Sequence, residues 1–339
     1  MKFNNFYGKF LLFFIIIAFL SESKAQEVKF SGYGSVGYRF YNRNILNGYN
    51  QESYYEGKIQ ADIKYNKKIE GQIDLRGNSI DNSFKLREVT VKFDYWDYLK
   101  IKLGHIKKPF GTEQMVNEED LYTVERSNVH ENLSEMGYGG RAVSLMAYYK
   151  FNEKRENFPY SYYISLFHNN NLYKGVVGKF VYHTTWLNFS ANYEYQQKGG
   201  DNSLTTQGFG GGIELDKSGF YTAAEVFYVQ DPLEGSLRKL RGENEKVYSL
   251  GAKFLTAYSI IFDGEIVKAL EPVLLVSYFV PDNAISENHV IQSLVGMNIY
   301  FHKKVKFRIN GDLRLTKNQF NDDYSTKESR AIVELQMSF

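Results

Sequence analysis

The last nine residues, Ala331-Ile332-Val333-Glu334-Leu335-Gln336-Met337-Ser338-Phe339, follow a two-residue beat. Counting back from Phe339, the apolar positions are Phe339, Met337, Leu335, Val333 and Ala331; between them lie Ser338, Gln336, Glu334 and, less typically, Ile332. Alternate side chains of a strand point to opposite faces, so period two predicts a strand with one apolar and one polar face. The beat recurs along the chain. At 305–315, Val305, Phe307, Ile309, Gly311, Leu313 and Leu315 alternate with Lys306, Arg308, Asn310, Asp312 and Arg314. At 28–41, Phe30, Gly32, Gly34, Val36, Tyr38 and Phe40 alternate with Lys29, Ser31, Tyr33, Ser35, Gly37 and Arg39. The segments 55–65, 69–76, 88–95 and 99–104 read the same way, and so do eleven later ones, near 141–151, 160–168, 174–183, 186–196, 207–215, 219–229, 247–256, 271–280, 289–301, 304–316 and 329–339.

The pattern predicts an all-β, transmembrane antiparallel β-barrel of about 16 strands, with roughly 20 residues per strand and connection. A strand that closes the chain on an aromatic, greasy on one face and polar on the other, resembles the last strand of a bacterial outer-membrane barrel. Beyond the first residues no segment approaches the roughly 18 consecutive apolar residues of a membrane helix. The 28 Tyr and 26 Phe suit aromatic girdles at two membrane interfaces. Short breaks at 66–68, 96–98, 184–185, 216–218 and 302–303 alternate with longer ones at 42–54, 105–140, 197–206, 230–246, 281–288 and 317–328. With both barrel ends in the periplasm, the short breaks fall there and the long ones outside. Residues 257–270 could hold an extra strand, but that would spoil the even count; the neighbouring strands are instead extended toward a turn at Asp263-Gly264.

Residues 1–25 read as a signal peptide: Lys2 and Lys9, an apolar run from Phe10 to Leu20 too short to span a bilayer, then Ser23-Lys24-Ala25 as a small-x-small cleavage site. The barrel is then residues 26–339. Cleavage removes Lys2, Lys9, Lys24 and Glu22, so 41 basic and 39 acidic residues become 38 and 38. A neutral mature chain offers no basic field for nucleic acid. With no cysteine there is no disulfide framework or thiolate metal site.

Gly32-Tyr33-Gly34-Ser35-Val36-Gly37 matches G-x-G-x-x-G, but that fingerprint requires a helix at its end, and here Tyr38-Arg39-Phe40-Tyr41 continues the strand beat. The six histidines are scattered and form no H-x-x-x-H pair, and no G-x-S-x-G elbow occurs. Neither an enzyme nor a cofactor or metal is expected; a barrel phospholipase would need a Ser/His pair assembled by the fold. The acidic stretch Glu118-Glu119-Asp120, with Glu131 and Glu135 nearby, lacks EF-hand spacing and reads as a solvated loop or a carboxylate wall of a pore.

The connection 105–140, after the fifth strand, is the longest, and a loop of that length is uncommon without a function. A sixteen-strand barrel leaves an aqueous lumen. Folded into it, the loop would bring Lys107, Lys108, Glu113, Glu125 and Arg126 to a constriction, where charge sets ion preference. Lys107, Lys108, Arg126 and Arg141 are the candidates for attracting anions, Glu113 and Glu125 the constriction carboxylates, and Lys92, Lys102, Lys306, Arg308 and Arg314 a basic lumen lining. The surface-loop reading leaves the lumen unobstructed.

Leu86-Arg87-Glu88 opening a strand, a hairpin to Leu103-Gly104-His105, then Lys107-Lys108-Pro109-Phe110-Gly111 and Glu125-Arg126-Ser127 resemble the phosphate-selective porin O and P family. There an L-R-(D/E) strand leads to G-Q-x-K-x-P-F-G and then E-R-S. The motifs cover about residues 86–141; Lys108 and Arg126 align with the family Lys and Arg, and His105 stands where Gln is usual. The resemblance implies a sixteen-stranded, usually trimeric porin of the Gram-negative outer membrane whose third outer loop narrows the channel. It implies passive diffusion of small hydrophilic solutes, including anions such as phosphate or polyphosphate. Expected partners are outer-membrane lipid and lipopolysaccharide, the barrel-assembly machinery with Phe339 as C-terminal assembly signal, small anionic or polar solutes, and two further copies of the chain. The chain departs from the family in lacking a basic bias along the pore: Asp62, Glu70, Asp74, Glu88, Asp94, Asp312 and Glu334 share the polar faces with the basic residues. The alternative is a non-conducting barrel, plugged by its own loop, that serves adhesion or acts as a scaffold.

Overall fold

The computed structural model describes residues 27–42, 50–80, 82–152, 158–169, 173–199, 203–317 and 329–339. The expected signal peptide, 1–25, lies outside them. The strands are β1 Glu27–Tyr41, β2 Gln51–Lys64, β3 Ile69–Asn78, β4 Ser83–Phe93, β5 Lys100–Lys107, β6 Arg141–Tyr149, β7 Tyr160–Asn169 and β8 Tyr173–His183. They continue as β9 Asn188–Lys198, β10 Leu204–Lys217, β11 Phe220–Gln230, β12 Tyr248–Tyr258, β13 Ala269–Val280, β14 His289–His302, β15 Val305–Lys317 and β16 Arg330–Ser338. Each pairs antiparallel with its chain neighbours, and β16 returns to β1 with Tyr33 opposite Ser338 and Tyr41 opposite Arg330. The sheet is a closed antiparallel barrel with no free edge. Residues 257–270 add no strand. Ile260–Ile261 continues β12 past Ser259 and pairs with Ala269–Leu270, leaving a turn that contains Asp263-Gly264. The count is therefore even, 16, and both ends of the barrel chain lie at one end of the cylinder, here called the terminal end. The connection expected at 105–140 begins only at Lys108, because His105, Ile106 and Lys107 pair with β6 as the end of β5, and it opens from the opposite end.

Alternation sorts the faces as the beat requires. Val36, Tyr38, Phe40, Ile309, Leu313, Leu315, Leu335, Met337 and Phe339 are exposed on the outside. Tyr33, Ser35, Arg308, Asn310, Asp312, Arg314, Glu334 and Gln336 are buried inside. Ile332, out of step with a purely polar inner face, also points inward and is buried. A soluble protein does not leave so many large apolar side chains on a continuous outer surface; a hydrocarbon medium accommodates them.

The packed core is inside the barrel. The loop carries two single-turn helices, Glu113–Met115 and Glu118–Asp120, and then α1, Asn128–Glu135. Phe110, Val129, Leu133, Met136 and Tyr138 of the loop region pack on Ala142, Phe167, Tyr173, Val177, Phe227, Val229 and Phe279 of the wall. Each such side chain contributes roughly 1.5–3 kcal/mol on burial, so this seat is comparable to the core of a small domain. Two glycines make room for it. A Cβ on Gly208 would lie 2.6 Å from the Tyr138 ring, and one on Gly251 would lie 2.8 Å from Val129.

Candidate functional site: the loop across the lumen

The loop enters through Pro109-Phe110-Gly111. Phe110 is fully buried, its ring 5.4 Å from that of Tyr138 and 5.7 Å from that of Phe227. The backbone beyond it cannot form a sheet ladder, so wall side chains satisfy it. Gly111 N–H donates to Asn192 Oδ1 at 3.2 Å and Thr112 N–H to Glu225 Oε1 at 2.6 Å. Lys179 Nζ donates to Gly111 O at 3.1 Å and to Thr112 Oγ1 at 3.2 Å.

Glu113 then joins the loop to itself and to the wall. Its carboxylate accepts from Ser127 N–H at 2.8 Å and Ser127 Oγ at 2.7 Å, and it faces Lys253 Nζ at 2.9 Å. Lys253 lies 2.8 Å from Glu225 as well. His130 sits between the two acids, 3.2 Å from Glu225 and 3.6 Å from Glu113. Burial alone would raise the Glu113 carboxyl, but Lys253, His130 and Arg126 outweigh it and hold it down to about 2. Because Ser127 also caps α1 by accepting from His130 N–H at 3.4 Å, Glu113 fixes the helix start.

The middle of the loop crosses to the other side of the barrel. Glu118 pairs with Arg76 and with Arg87 (3.1 Å), and Glu119 with Lys58 (2.7 Å). Lys306 Nζ donates to Glu119 O at 2.7 Å and Arg308 to Thr123 O at 3.1 Å. Val124 N–H donates to Asn310 Oδ1 at 2.7 Å, and Asn128 N–H to Gln292 Oε1 at 2.8 Å. Glu125 takes Arg39 at 2.6 Å and Arg330. Side chains from β1–β4, β8, β9, β11, β12 and β14–β16 thus all hold the loop, which spans the lumen from wall to wall. A surface loop is ruled out.

The residues expected at the constriction have several distinct roles. Lys107, the last residue of β5, donates to Asn117 Oδ1 at 2.8 Å and Val116 O at 3.0 Å. Arg126 donates to Glu113 O and, at 2.8 Å, to Val116 O. Burial pushes the Arg126 guanidinium down, with Glu113 opposing. Arg141 Nε meets Glu88 at 2.8 Å. Lys108 requires a correction as an anion-attracting group. Its ammonium is enclosed by Glu194, Gly137 O and the Phe167 ring 4.1 Å away, so it anchors the loop away from solvent. Burial pushes this amine down and Glu194 opposes it. Glu113 and Glu125 are likewise fasteners of the loop. Lys92, Lys102, Lys306, Arg308 and Arg314 all turn inward. Lys92 pairs with Glu70, Lys102 lies 3.9 Å from Glu88, Arg308 Nε bonds Glu334 at 2.9 Å, and Arg314 lies 2.9 Å from Asp312. Glu118 and Glu119 face basic side chains, and among the described residues no acidic or histidine cluster is arranged to hold a metal.

Sequence reasoning missed the wall half of this site, namely Lys253, Glu225, Glu194, Asn192, Lys179, Arg39 and Arg330. Their inward parity was legible in the beat; their pairing with residues up to about two hundred positions away was not. Between the loop and the wall a cavity of about 390 Å³ remains toward the terminal end, lined by Tyr122, Tyr163, Lys179, Glu214 and Tyr221 among others. Tyr122 and Tyr221 stack across it, ring centroids 4.5 Å apart.

No protein-family model and no curated protein matches the chain. Solved structures do. The chain is similar to an anion-selective porin from Comamonas acidovorans (TM-score 0.65, 12% identity, covering 92% of this chain and 99% of that one). It is similar to Salmonella typhi OmpF in complex with daunomycin (0.65, 14%, covering 93% and 98%). It is also similar to the outer membrane channel DcaP of Acinetobacter baumannii (0.64, 11%, covering 92% and 97%). At these identities the likeness is one of fold.

Proposed function

We infer that the chain is an outer-membrane channel through which small hydrophilic solutes diffuse passively. The reading rests on one observation: a closed barrel, apolar outside and ionised inside, crossed by a loop that leaves a cavity between itself and the wall. Such a cylinder needs lipid around it and water within it. The similarity to porin structures, one of them described as anion-selective and another as an outer membrane channel, supports the same reading.

A preference for anions such as phosphate follows from the charges beside β2–β5. Lys58, Arg76, Arg87, Lys102 and Arg141 are matched by Glu56, Asp74, Glu88, Glu118 and Glu119. Lys107 and Arg126 have carbonyl and amide partners, and among the described residues no carboxylate lies within 4 Å of either. They are the positive excess that an entering anion meets, with Arg126 able to offer two parallel N–H groups. Lys108 is set aside as an anchor. Export through cleavage after Ala25, assembly signalled by Phe339, contact with lipid and lipopolysaccharide, and a homotrimer, the form of one porin-fold neighbour from Vibrio cholerae, belong to the same proposal.

The test is reversal potential in a KCl gradient across a planar bilayer. The native protein should favour chloride, phosphate should reduce its current, and K107Q/R126Q should abolish the preference. An unchanged reversal potential in that variant refutes the assignment. The second reading, a non-conducting barrel, is favoured by the bonds that hold the loop from both sides; absence of conductance steps from folded protein would establish it.

A further inference from the structure

A cluster at the terminal end of the lumen takes no part in seating the loop. Ser161 of β7, His183 at the end of β8 and Asn188 at the start of β9 face inward side by side. The ladders dictate this: Ser161 lies opposite Val181, two residues before His183, and His183 lies opposite Asn188. Ser161 Oγ is 2.7 Å from His183 Nε2, and His183 Nδ1 is 2.8 Å from Asn188 Oδ1. An amide oxygen can only accept, so Asn188 Oδ1 takes the hydrogen of the ring's Nδ1. That fixes the tautomer: Nδ1 carries the hydrogen, and the Nε2 lone pair faces the serine hydroxyl. The Phe151 ring stacks on the imidazole at 4.8 Å and 19° and holds its plane. Ser161 Oγ accepts Phe151 N–H at 2.8 Å and directs its proton at His183, which leaves one lone pair for attack.

These are the relations of a nucleophile, its base and the group that orients the base. The serine/histidine pair that the sequence alone could not bring together is assembled by three consecutive strands. Ser161, His183, Asn188 and the neighbouring Glu214 line the 390 Å³ cavity together with the apolar Val181, Leu255 and Leu275 and the cation Lys150. We propose that Ser161, His183 and Asn188 form a hydrolytic site in the lumen for short-chain acyl esters of water-soluble alcohols. The acyl chain lies on the apolar wall, and Lys150 is the cation available to the oxyanion. The cavity has the size of a small-molecule site and opens to the lumen, which excludes membrane lipids as substrates.

Ser161 Oγ attacks the ester carbonyl carbon. The carbonyl π pair moves to oxygen, and the hydroxyl proton passes to His183 Nε2. Collapse re-forms the carbonyl, breaks the ester C–O bond and returns that proton from His183 to the departing alkoxide. Water then attacks the acyl-serine, gives its proton to His183, and collapse releases the carboxylic acid while His183 reprotonates Ser161. Asn188 is a positioning residue.

The test uses the full protein folded in detergent, with a fluorophosphonate probe and p-nitrophenyl acetate; folding of every variant is verified by its heat-shifted electrophoretic mobility. Expected are labelling on Ser161, its loss in S161A and S161C, and a fall of about 100-fold or more in labelling rate in H183A or H183Q. N188L loses labelling because it has no acceptor, whereas N188D keeps it with the pH profile moved upward by the added negative charge. No labelling of folded native protein overturns the proposal. So does labelling that survives loss of the serine or histidine, or an N188D profile identical to the native one.

Discussion

Replacing Lys253 by methionine isolates the tether that matters most to the loop. Lys253 Nζ lies 2.9 Å from Glu113 and 2.8 Å from Glu225, and its side chain is only 3% exposed. Methionine keeps most of the volume and removes the charge, leaving two carboxylates enclosed with the His130 ring between them. Breaking a buried pair by removing one partner costs about 3–5 kcal/mol, because the remaining charge has no solvent to turn to. The strain falls on the docked loop, since undocking returns Glu113 to water while the barrel ladders stay intact. At about 1.4 kcal/mol per factor of ten, the ratio of docked to released loop should fall by about two to three and a half orders of magnitude. Trypsin should then cut folded K253M near Arg126, where it leaves the native protein whole, and single-channel conductance should rise as the lumen clears. E113Q/E225Q/K253M, with the whole charged cluster neutralised, should be less sensitive than K253M alone, because neighbours in one network are not additive. Equal cleavage and conductance in native protein and K253M would refute the tether.

Acid should release the loop as well. The Glu113 carboxyl is depressed in the folded protein, so its stabilising contribution is complete above about 4.5 and is lost as pH falls through about 2. Conductance should rise across that window and the rise should be blunted in E113Q, with pH-independent current between 5 and 2 counting against it. Gly251→Val puts atoms where the Val129 side chain sits, 2.8 Å from the first added carbon. Overpacking of this kind costs about 1–3 kcal/mol and should make the loop protease-sensitive without altering barrel mobility on gels; unaltered digestion would argue against the seat. Deleting Phe339 removes its N–H donation to Gly32 O at 2.9 Å and an exposed aromatic at the closing seam, so the yield of folded barrel should drop several-fold in a refolding assay. The double variant K107Q/R126Q should lose its preference for chloride, as reversal potentials will report.

The barrel was legible because the physics that builds it is local. Every strand alternates in the chain itself, and the observed spans differ from the expected ones by up to five residues, the largest shift being at β4, which starts at Ser83 instead of 88. Even the ambiguous stretch 257–270 followed from the requirement of an even count. The loop was legible as an insertion into the lumen from its length and its Pro-Phe-Gly and Glu-Arg-Ser motifs. What each charge does there was not. Lys107 and Lys108 are adjacent and chemically alike, yet one binds loop carbonyls and the other is enclosed against Glu194. The difference depends on strand register 86 residues away. The same holds for Glu113, whose partner Lys253 lies 140 residues on, and for Ser161 and His183, which only their shared ladder brings together.

The way the loop is fastened dictates when it can be seated. Val124 bonds Asn310 across 186 positions, and Glu119 O accepts from Gln336 across 217. Half of the cradle therefore does not exist until the final hairpin has arrived, and contacts so distant along the chain form slowly. The polar clasp on residues 119–128 must therefore close last, after the seam between first and final strands has been drawn together, whereas the apolar seat of Phe110, Val129 and Leu133, whose wall partners end at Phe279, has its cover earlier. A nascent barrel would pass through a stage in which the loop is held by its greasy half while its charged half hangs open, and whatever shepherds the polypeptide to its membrane must tolerate that unfinished lining as well as the apolar exterior.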